Sequence, residues 1–341
     1  MHAARRQPTT NLDAFLLRGP QANLSKGLSD LRELILVQGI PASSEGMSDV
    51  RMYIWLILLN VPPLSTDVYL DLVRQGASPA HAKIQNDTFR TFQGDPLFRR
   101  RVTQNSITRV LNAVAWRLND AHEARVNGWM SPPTLSEFGG SPDTSLLSRA
   151  SFTTGPRTDG ASTTNDAEQI GYVQGMNVLC GPFLYASRSE VEAFTAFEAL
   201  ITKECPGYVR GSMEGVHKGL ALVDRVLEVV DAKLYDHLMA HRLQAKIYAF
   251  ASVLTMCACT PPLPEVLQLW DFLFAYGPHL NILCIVAQLM LIRDQLLSSS
   301  NPNSILRNLP SLNARATITM ALRVIADVPE DLYEEIVNHA K

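Results

Sequence analysis

Residues 213–227 read MEGVHKGLALVDRVL, and the spacing of the apolar side chains in this stretch indicates the fold class. Met213, Val216, Leu220, Val223 and Leu227 follow one another at steps of three and four residues. An α-helix completes a turn in about 3.6 residues, so these side chains share one face. The stretch therefore predicts an amphipathic helix that packs this face against a hydrophobic core.

The same period recurs in both directions along the chain. Further stripes occupy residues 24–35, 107–118 and 191–201, and Gly39 and Pro41 mark the end of the first. Alternating strand patterns on either side of an Asn-Gly or Asp-Gly turn, which indicate hairpins, are absent. We therefore predict an all-α fold. Because no repeat has a fixed period, a two-lobed globular arrangement is favoured over a solenoid.

Composition narrows the class of protein. The chain has 341 residues, 46% of them hydrophobic, which is enough to bury a large core. Its formal net charge of −3 argues against a nucleic-acid-binding protein, which normally carries a clustered basic face. Five cysteines without a CxxC pair predict reduced, buried thiols in a nuclear or cytosolic compartment and no metal site.

Two strongly apolar runs predict buried helices. They are YIWLILL at 53–59 and LNILCIVAQLMLI at 280–292. Both are shorter than the roughly 20 residues that a helix needs to cross a bilayer. The N-terminal residues also lack the longer apolar region of a secretory signal. We expect a soluble protein without membrane insertion.

Composition also divides the chain into segments. Residues 131–168 are rich in Ser, Thr, Gly and Pro and lack periodicity, which predicts a disordered insertion. The predicted organisation starts with an N-terminal tail (1–22) and an N-terminal helical lobe (23–130). The insertion (131–168) follows, and then a C-terminal helical lobe (169–300) and C-terminal helices (301–341). The insertion expands a loop between two helices, which a helical scaffold tolerates at small entropic cost.

Two short stretches on either side of the insertion carry polar residues at defined spacing. In IQNDTFR, residues 84–90, Asp87 and Arg90 lie one helical turn apart and can form an ion pair. In YVQG, residues 172–175, Gln174 lies at the start of a predicted apolar helix, directly before a glycine. Each pattern by itself is also typical of ordinary helix surfaces.

Together the two stretches resemble the motifs IxxDxxR and YxQG of the TBC-domain GTPase-activating proteins. Two further stretches resemble that family in the same order. The first is GIPASSEGMSDVRMYIWLILL, residues 39–59, which resembles the opening segment of the family. The arginine and tryptophan of that segment correspond to Arg51 and Trp55. The second is VLQLWDFLFAYG, residues 266–277, which is similar to the family's later Trp-Asp helix. The resemblance runs from about Gly39 to about Leu297.

The resemblance implies a mechanism and assigns roles to residues. Arg90 would be an arginine finger and Gln174 a glutamine finger, both acting in trans on a Ras/Rab-like small GTPase. Supporting or GTPase-contacting roles fall to Ile84, Asp87, Tyr172, Gly175 and Asn177, with Asp87 orienting the arginine loop and Gly175 admitting the GTPase backbone. The protein would need no cofactor of its own, because the GTPase binds GTP and Mg²⁺.

Finer sequence details are similar to the fungal checkpoint branch of the family. The stretches NDTFRTF, YVQGMNVLCGPFLY and CACTPPLPEVLQLWDFLFAYG carry this similarity. Members of that branch restrain a Ras-like GTPase at the spindle pole body and so delay mitotic exit or septation, together with a second, non-catalytic subunit. The branch implies a place in the cytoplasm and cytoskeleton. Gln268 departs from the family, since many members carry a basic residue there.

Two other classes of function remain open at this point. The domain could bind a GTPase as a catalytically silent scaffold, although such members typically lose one or both fingers. Without the resemblance, the sequence describes an α-helical adaptor whose grooves bind partner helices. Stimulation of GTP hydrolysis distinguishes the activator from both alternatives.

Overall fold

A computed structural model describes residues 11–20, 23–62, 66–126 and 171–341. Over these ranges the chain forms helices and turns, without a β-strand, so the predicted all-α class is confirmed. The insertion predicted at 131–168 lies outside the described residues.

The helices before the insertion form the N-terminal lobe. They are α1 (Asn11–Arg18), α2 (Leu24–Gln38), α3 (Arg51–Leu58), α4 (Thr66–Arg74), α5 (His81–Thr88), α6 (Pro96–Arg101) and α7 (Gln104–Val126).

The helices after the insertion form the C-terminal lobe and the C-terminal segment. They are α8 (Met176–Ala186), α9 (Glu190–Ala199), α10 (Glu214–Val230), α11 (Ala232–Ala240), α12 (Ala245–Tyr248), α13 (Phe250–Leu254), α14 (Leu263–Tyr276), α15 (Asn281–Leu291), α16 (Arg293–Ser298), α17 (Pro302–Arg307), α18 (Ala314–Asp327) and α19 (Glu330–Asn338). A π-helical turn follows α9 at Leu200–Glu204, and short 3-10 turns occupy Pro206–Tyr208 and Pro278–Leu280.

Helix α2 shows how local sequence sets its ends. The Asn23 side chain accepts a hydrogen bond from the backbone N–H of Lys26 at 2.8 Å, which caps the first turn. At the other end, Gly39 has a φ of +73°, and its N–H donates to the carbonyl of Ile35 at 2.9 Å. A residue without a Cβ adopts this conformation at low cost. The helix end predicted at Gly39 is confirmed.

One large hydrophobic core runs through both lobes. At its centre the rings of Trp55, Phe183 and Phe274 pack together, with the Trp55 ring centroid 5.6 Å from Phe183 and 5.0 Å from Phe274. The predicted apolar runs lie in or beside α3 and α15, whose side chains contribute to this core. Among the described residues, no helix has the length and apolarity needed to span a membrane.

Part of the predicted N-terminal tail is helical instead. The structure has helix α1 within residues 1–22, and Leu12 on this helix is fully buried. The reason is that α1 packs its apolar side chains against α2 and adds to a small second hydrophobic cluster. The C-terminal segment carries α17 to α19, and α18 packs along α14 and α15 of the preceding lobe.

A buried ion pair joins the two lobes inside the core. The Arg51 Nε donates to Asp271 Oδ1 at 2.9 Å, and Trp55 Nε1 donates to the same oxygen at 2.8 Å. The Arg51 Nη2 donates to Asp271 Oδ2 at 3.0 Å, and both charged side chains are almost completely buried. These are the residues that the opening and Trp-Asp stretches contribute, and they connect α3 to α14.

We expect Asp271→Asn to lower the free energy of unfolding by about 3–5 kcal/mol, because it leaves the buried Arg51 charge without a counter-charge. Urea titration followed by circular dichroism measures the loss. Asp71→Asn is the matched control, since Asp71 pairs with Arg74 on the exposed surface of α4 and such pairs contribute at most about 1 kcal/mol. Equal effects of the two variants would contradict the prediction.

Two histidines lie at the C-terminal helix, of which His339 is buried and His279 is partly buried. His339 Nδ1 donates to the carbonyl of Ile336, so its neutral ring accepts from Tyr208 Oη through Nε2 at 2.8 Å. His279 lies beside Tyr333, with Nε2 and Oη 3.4 Å apart. Burial lowers the pKa of His279 to about 4 and lowers the pKa of His339 as well.

These depressed pKa values predict acid sensitivity. The unfolded chain protonates His279 near pH 6.5, whereas the folded chain resists protonation until about pH 4. The contribution to stability is therefore complete above pH 6.5 and is lost as the pH falls from 6.5 to 4, by up to about 1.4 kcal/mol per pH unit. Urea titrations between pH 7.5 and 4.5 test this. We expect His279→Gln to flatten the pH dependence of stability, and an unchanged slope would contradict the prediction.

Candidate functional site

The IxxDxxR stretch occupies the end of α5 and the turn that follows. Ile84 is fully buried in the main core, and Asp87 is buried at the last turn of the helix. The chain then turns over residues 89–94, where Arg90 has a half-exposed side chain. The apolar residue anchors the helix, and the arginine is presented at the surface.

A single carboxylate connects this stretch to the YxQG stretch. Arg90 Nη2 donates to Asp87 Oδ1, and Tyr172 Oη donates to Asp87 Oδ2 at 2.8 Å. Burial raises the pKa of the Tyr172 hydroxyl, and the hydrogen bond to Asp87 raises it further. The hydroxyl therefore keeps its proton at physiological pH and remains a donor. Arg90 thus has a partner within the chain, in addition to any that the resemblance implies.

Asn177 forms a second connection, and sequence reasoning missed its partner Thr91. The Asn177 Nδ2 donates to Thr91 Oγ1 at 2.8 Å, and its Oδ1 accepts from the N–H of Gly175 at 3.1 Å. Thr91 Oγ1 donates in turn to the Asp87 carbonyl at 2.9 Å. A threonine directly after the motif arginine was the only sequence signal for this role. The network fixes the turn carrying Arg90 relative to the start of α8.

The prediction that a helix starts at Gln174 is wrong. Helix α8 begins at Met176, and Gln174 is an exposed residue of the turn before it. Gly175 separates the two with a φ of +107°, a left-handed conformation that ends any helix extending toward Gln174.

The structure also gives a reason for the glycine within the chain itself. A Cβ at position 175 would lie 2.5 Å from Leu254 Cδ2 on α13, which is far closer than van der Waals contact. Within the chain, Leu254 makes the close approach at Gly175, and the approach of a GTPase backbone there stays a prediction.

The candidate site residues divide by exposure. Arg90 and Gln174 reach the surface, whereas Ile84, Asp87, Tyr172, Gly175 and Asn177 are buried. The buried five hold the two exposed residues in place and offer a partner almost no accessible surface. Within the described ranges, no group of His, Cys, Asp and Glu side chains is arranged to hold a metal ion.

Comparison with known proteins places this site in a family. Residues 162–297, which include the YxQG stretch, match the Rab-GTPase-TBC domain. Over 318 residues the chain is 40% identical to cell division control protein 16 of Schizosaccharomyces pombe, covering 93% of this chain and 90% of that protein. The chain belongs to the TBC-domain family.

A further relative is similar to this TBC-domain protein in sequence, and two solved structures are similar to it in fold. Mitotic check point protein BUB2 of Saccharomyces cerevisiae is 35% identical over 328 residues, covering 95% of each chain. The fold is similar to the flagellar RabGAP TBC domain of Chlamydomonas, with a TM-score of 0.63 at 18% identity over 92% of this chain and 89% of that one. It is also similar to the Ypt/Rab-GAP domain of Gyp1p, with a TM-score of 0.62 at 17% identity over 88% and 92% of the two chains.

Proposed function

We propose that this TBC-domain protein is a GTPase-activating protein for a Ras/Rab-like small GTPase and that it restrains mitotic exit or septation. Membership of the Rab-GTPase-TBC family supports the activity. The names of two relatives, a cell division control protein and a mitotic check point protein, support the process, since each aligns over nine-tenths or more of both chains.

Arg90 supplies the first half of the proposed mechanism. Hydrolysis by a GTPase alone is slow because negative charge accumulates on phosphate oxygens, and an arginine inserted in trans speeds the reaction about 10³–10⁵-fold. Arg90 is half-exposed, and its resting partner Asp87 lies beside it. The guanidinium can exchange this carboxylate for a phosphate, because Asp87 keeps the hydrogen bond from Tyr172.

Gln174 supplies the second half. Its carboxamide is exposed, and it can accept a hydrogen bond from the attacking water while donating one to a phosphate oxygen. The residue lies in a turn whose next member, Gly175, is hydrogen-bonded to Asn177. Fixed donors and acceptors act without reorganisation at the moment of reaction. The observation that carries the proposal is the Asp87–Tyr172 hydrogen bond, because it joins the two stretches in which Arg90 and Gln174 lie.

The remaining parts of the proposal concern partners and location. GTP and Mg²⁺ are bound by the GTPase, so the activator contributes side chains and no cofactor. A second, non-catalytic subunit and a location at the spindle pole body complete the proposal, and both rest on similarity to the checkpoint branch. Purification of the tagged protein with its partners, followed by their identification, tests the second subunit.

Single-turnover GTP hydrolysis on a panel of purified small GTPases tests the activity. We expect the protein to accelerate hydrolysis by about 10³-fold or more on its cognate GTPase. Binding to a GTPase without acceleration would support the silent scaffold instead. Neither binding nor acceleration across the panel would support the helical adaptor.

A further inference from the structure

Phe89 is an exposed aromatic residue directly before Arg90. Its side chain is 58% exposed, whereas Thr88 and Thr91 on either side of the Phe89–Arg90 pair are buried. The turn therefore presents two neighbouring residues outward, one apolar and one cationic. The family resemblance implies a role for the arginine and none for the phenylalanine.

Hydrogen bonds fix the backbone that carries this pair. The N–H of Arg90 donates to the Asp87 carbonyl and that of Thr91 to the Thr88 carbonyl, both at 3.2 Å. The Gln93 side chain donates to the carbonyl of Phe89 itself. An aromatic side chain on a fixed turn loses little conformational entropy on binding, which favours its use as an anchor.

The position of Phe89 defines the surface that it meets. Consecutive Cα atoms lie about 3.8 Å apart, so a turn that brings Arg90 to the γ-phosphate brings Phe89 to the protein surface bordering that phosphate. In small GTPases this border is formed by switch segments, which contacts of the γ-phosphate and Mg²⁺ hold in order and hydrolysis releases.

We propose that Phe89 is an apolar anchor that binds the ordered switch surface of a GTP-bound small GTPase and so gives the activator its affinity for that nucleotide state. This inference rests on the proposed function. The anchor makes the same contact before and during hydrolysis, so it sets the concentration at which the activator saturates. Arg90 interacts more strongly in the transition state, so it sets the maximal rate.

The test measures stimulated single-turnover hydrolysis against activator concentration for wild type, Phe89→Ala and Phe89→Leu. We expect Phe89→Ala to raise the half-saturating concentration about tenfold or more, with a maximal rate within about twofold of wild type. Phe89→Leu should recover part of the affinity because it keeps an apolar side chain. Leu17→Ala is the control, since Leu17 is 68% exposed on α1, which packs against α2.

A binding measurement on the same proteins separates this inference from the proposed function. The probe is the panel GTPase that binds wild type most tightly, loaded either with a non-hydrolysable GTP analogue or with GDP. We expect Phe89→Ala to weaken binding to the analogue-loaded GTPase. The difference in affinity between the analogue-loaded and the GDP-loaded GTPase should therefore become smaller. Unchanged binding and unchanged half-saturation would overturn the role of Phe89 even if wild type stimulates hydrolysis. Absence of stimulation by wild type would overturn the proposed function. The binding of wild type and Phe89→Ala to the analogue-loaded GTPase would still show whether Phe89 is an anchor.

Discussion

Arg90→Ala should lower the maximal rate of stimulated GTP hydrolysis by about 10³-fold or more while the protein remains folded. The rate falls because no other group of the turn can place positive charge on the transferring phosphate. The fold survives because the Arg90 side chain is 53% exposed and Asp87 keeps the hydrogen bond from Tyr172. Arg90→Lys should also lose most of the activity, since lysine lacks the planar fork that spans two phosphate oxygens.

The control for this prediction is Arg74→Ala. Arg74 lies three residues after Asp71 at the end of α4, so its exposed ion pair has the same spacing as the pair of Arg90 and Asp87. Loss of this pair should change neither the maximal rate nor the melting temperature appreciably. Full stimulation by Arg90→Ala at saturating concentration would show that the finger assignment is wrong.

Gln174→Ala should lower the maximal rate by about 10²-fold, in the range found when one fixed polar group of an active site is removed. Stability should barely change, because Gln174 is exposed and precedes α8 rather than contributing a helical residue. Binding to a GTPase held in a transition-state mimic should weaken but remain detectable.

A GTPase whose own switch glutamine is replaced makes this test specific. If Gln174 orients the attacking water, the wild-type activator should still stimulate such a GTPase, and Gln174→Ala should not. Gln75→Ala is the matched control, since Gln75 is also exposed and also precedes a glycine with a positive φ, Gly76. Complete failure of the wild-type protein on the substituted GTPase would mean that the GTPase positions its own water. Gln174 would then only contact the switch region of the GTPase.

The helical class and the two motifs could be predicted from the sequence alone. Helical periodicity is a local property, because side chains three and four residues apart share a face whatever the rest of the chain does. The stripe from Met213 to Leu227 therefore predicted α10, and Gly39 predicted the end of α2. The motif resemblance that indicated the family is also local, because it rests on short stretches in a fixed order.

The tertiary structure alone decided how the candidate site is held together. The bond from Tyr172 to Asp87 joins residues 85 positions apart, and no periodicity encodes which partner a buried hydroxyl will find. The packing of Leu254 against Gly175 also brings together residues from separate parts of the chain. The exposure of Phe89 likewise depended on which neighbours cover the turn. Such contacts arise from packing between distant segments, and this is why they became visible only when the helices were assembled.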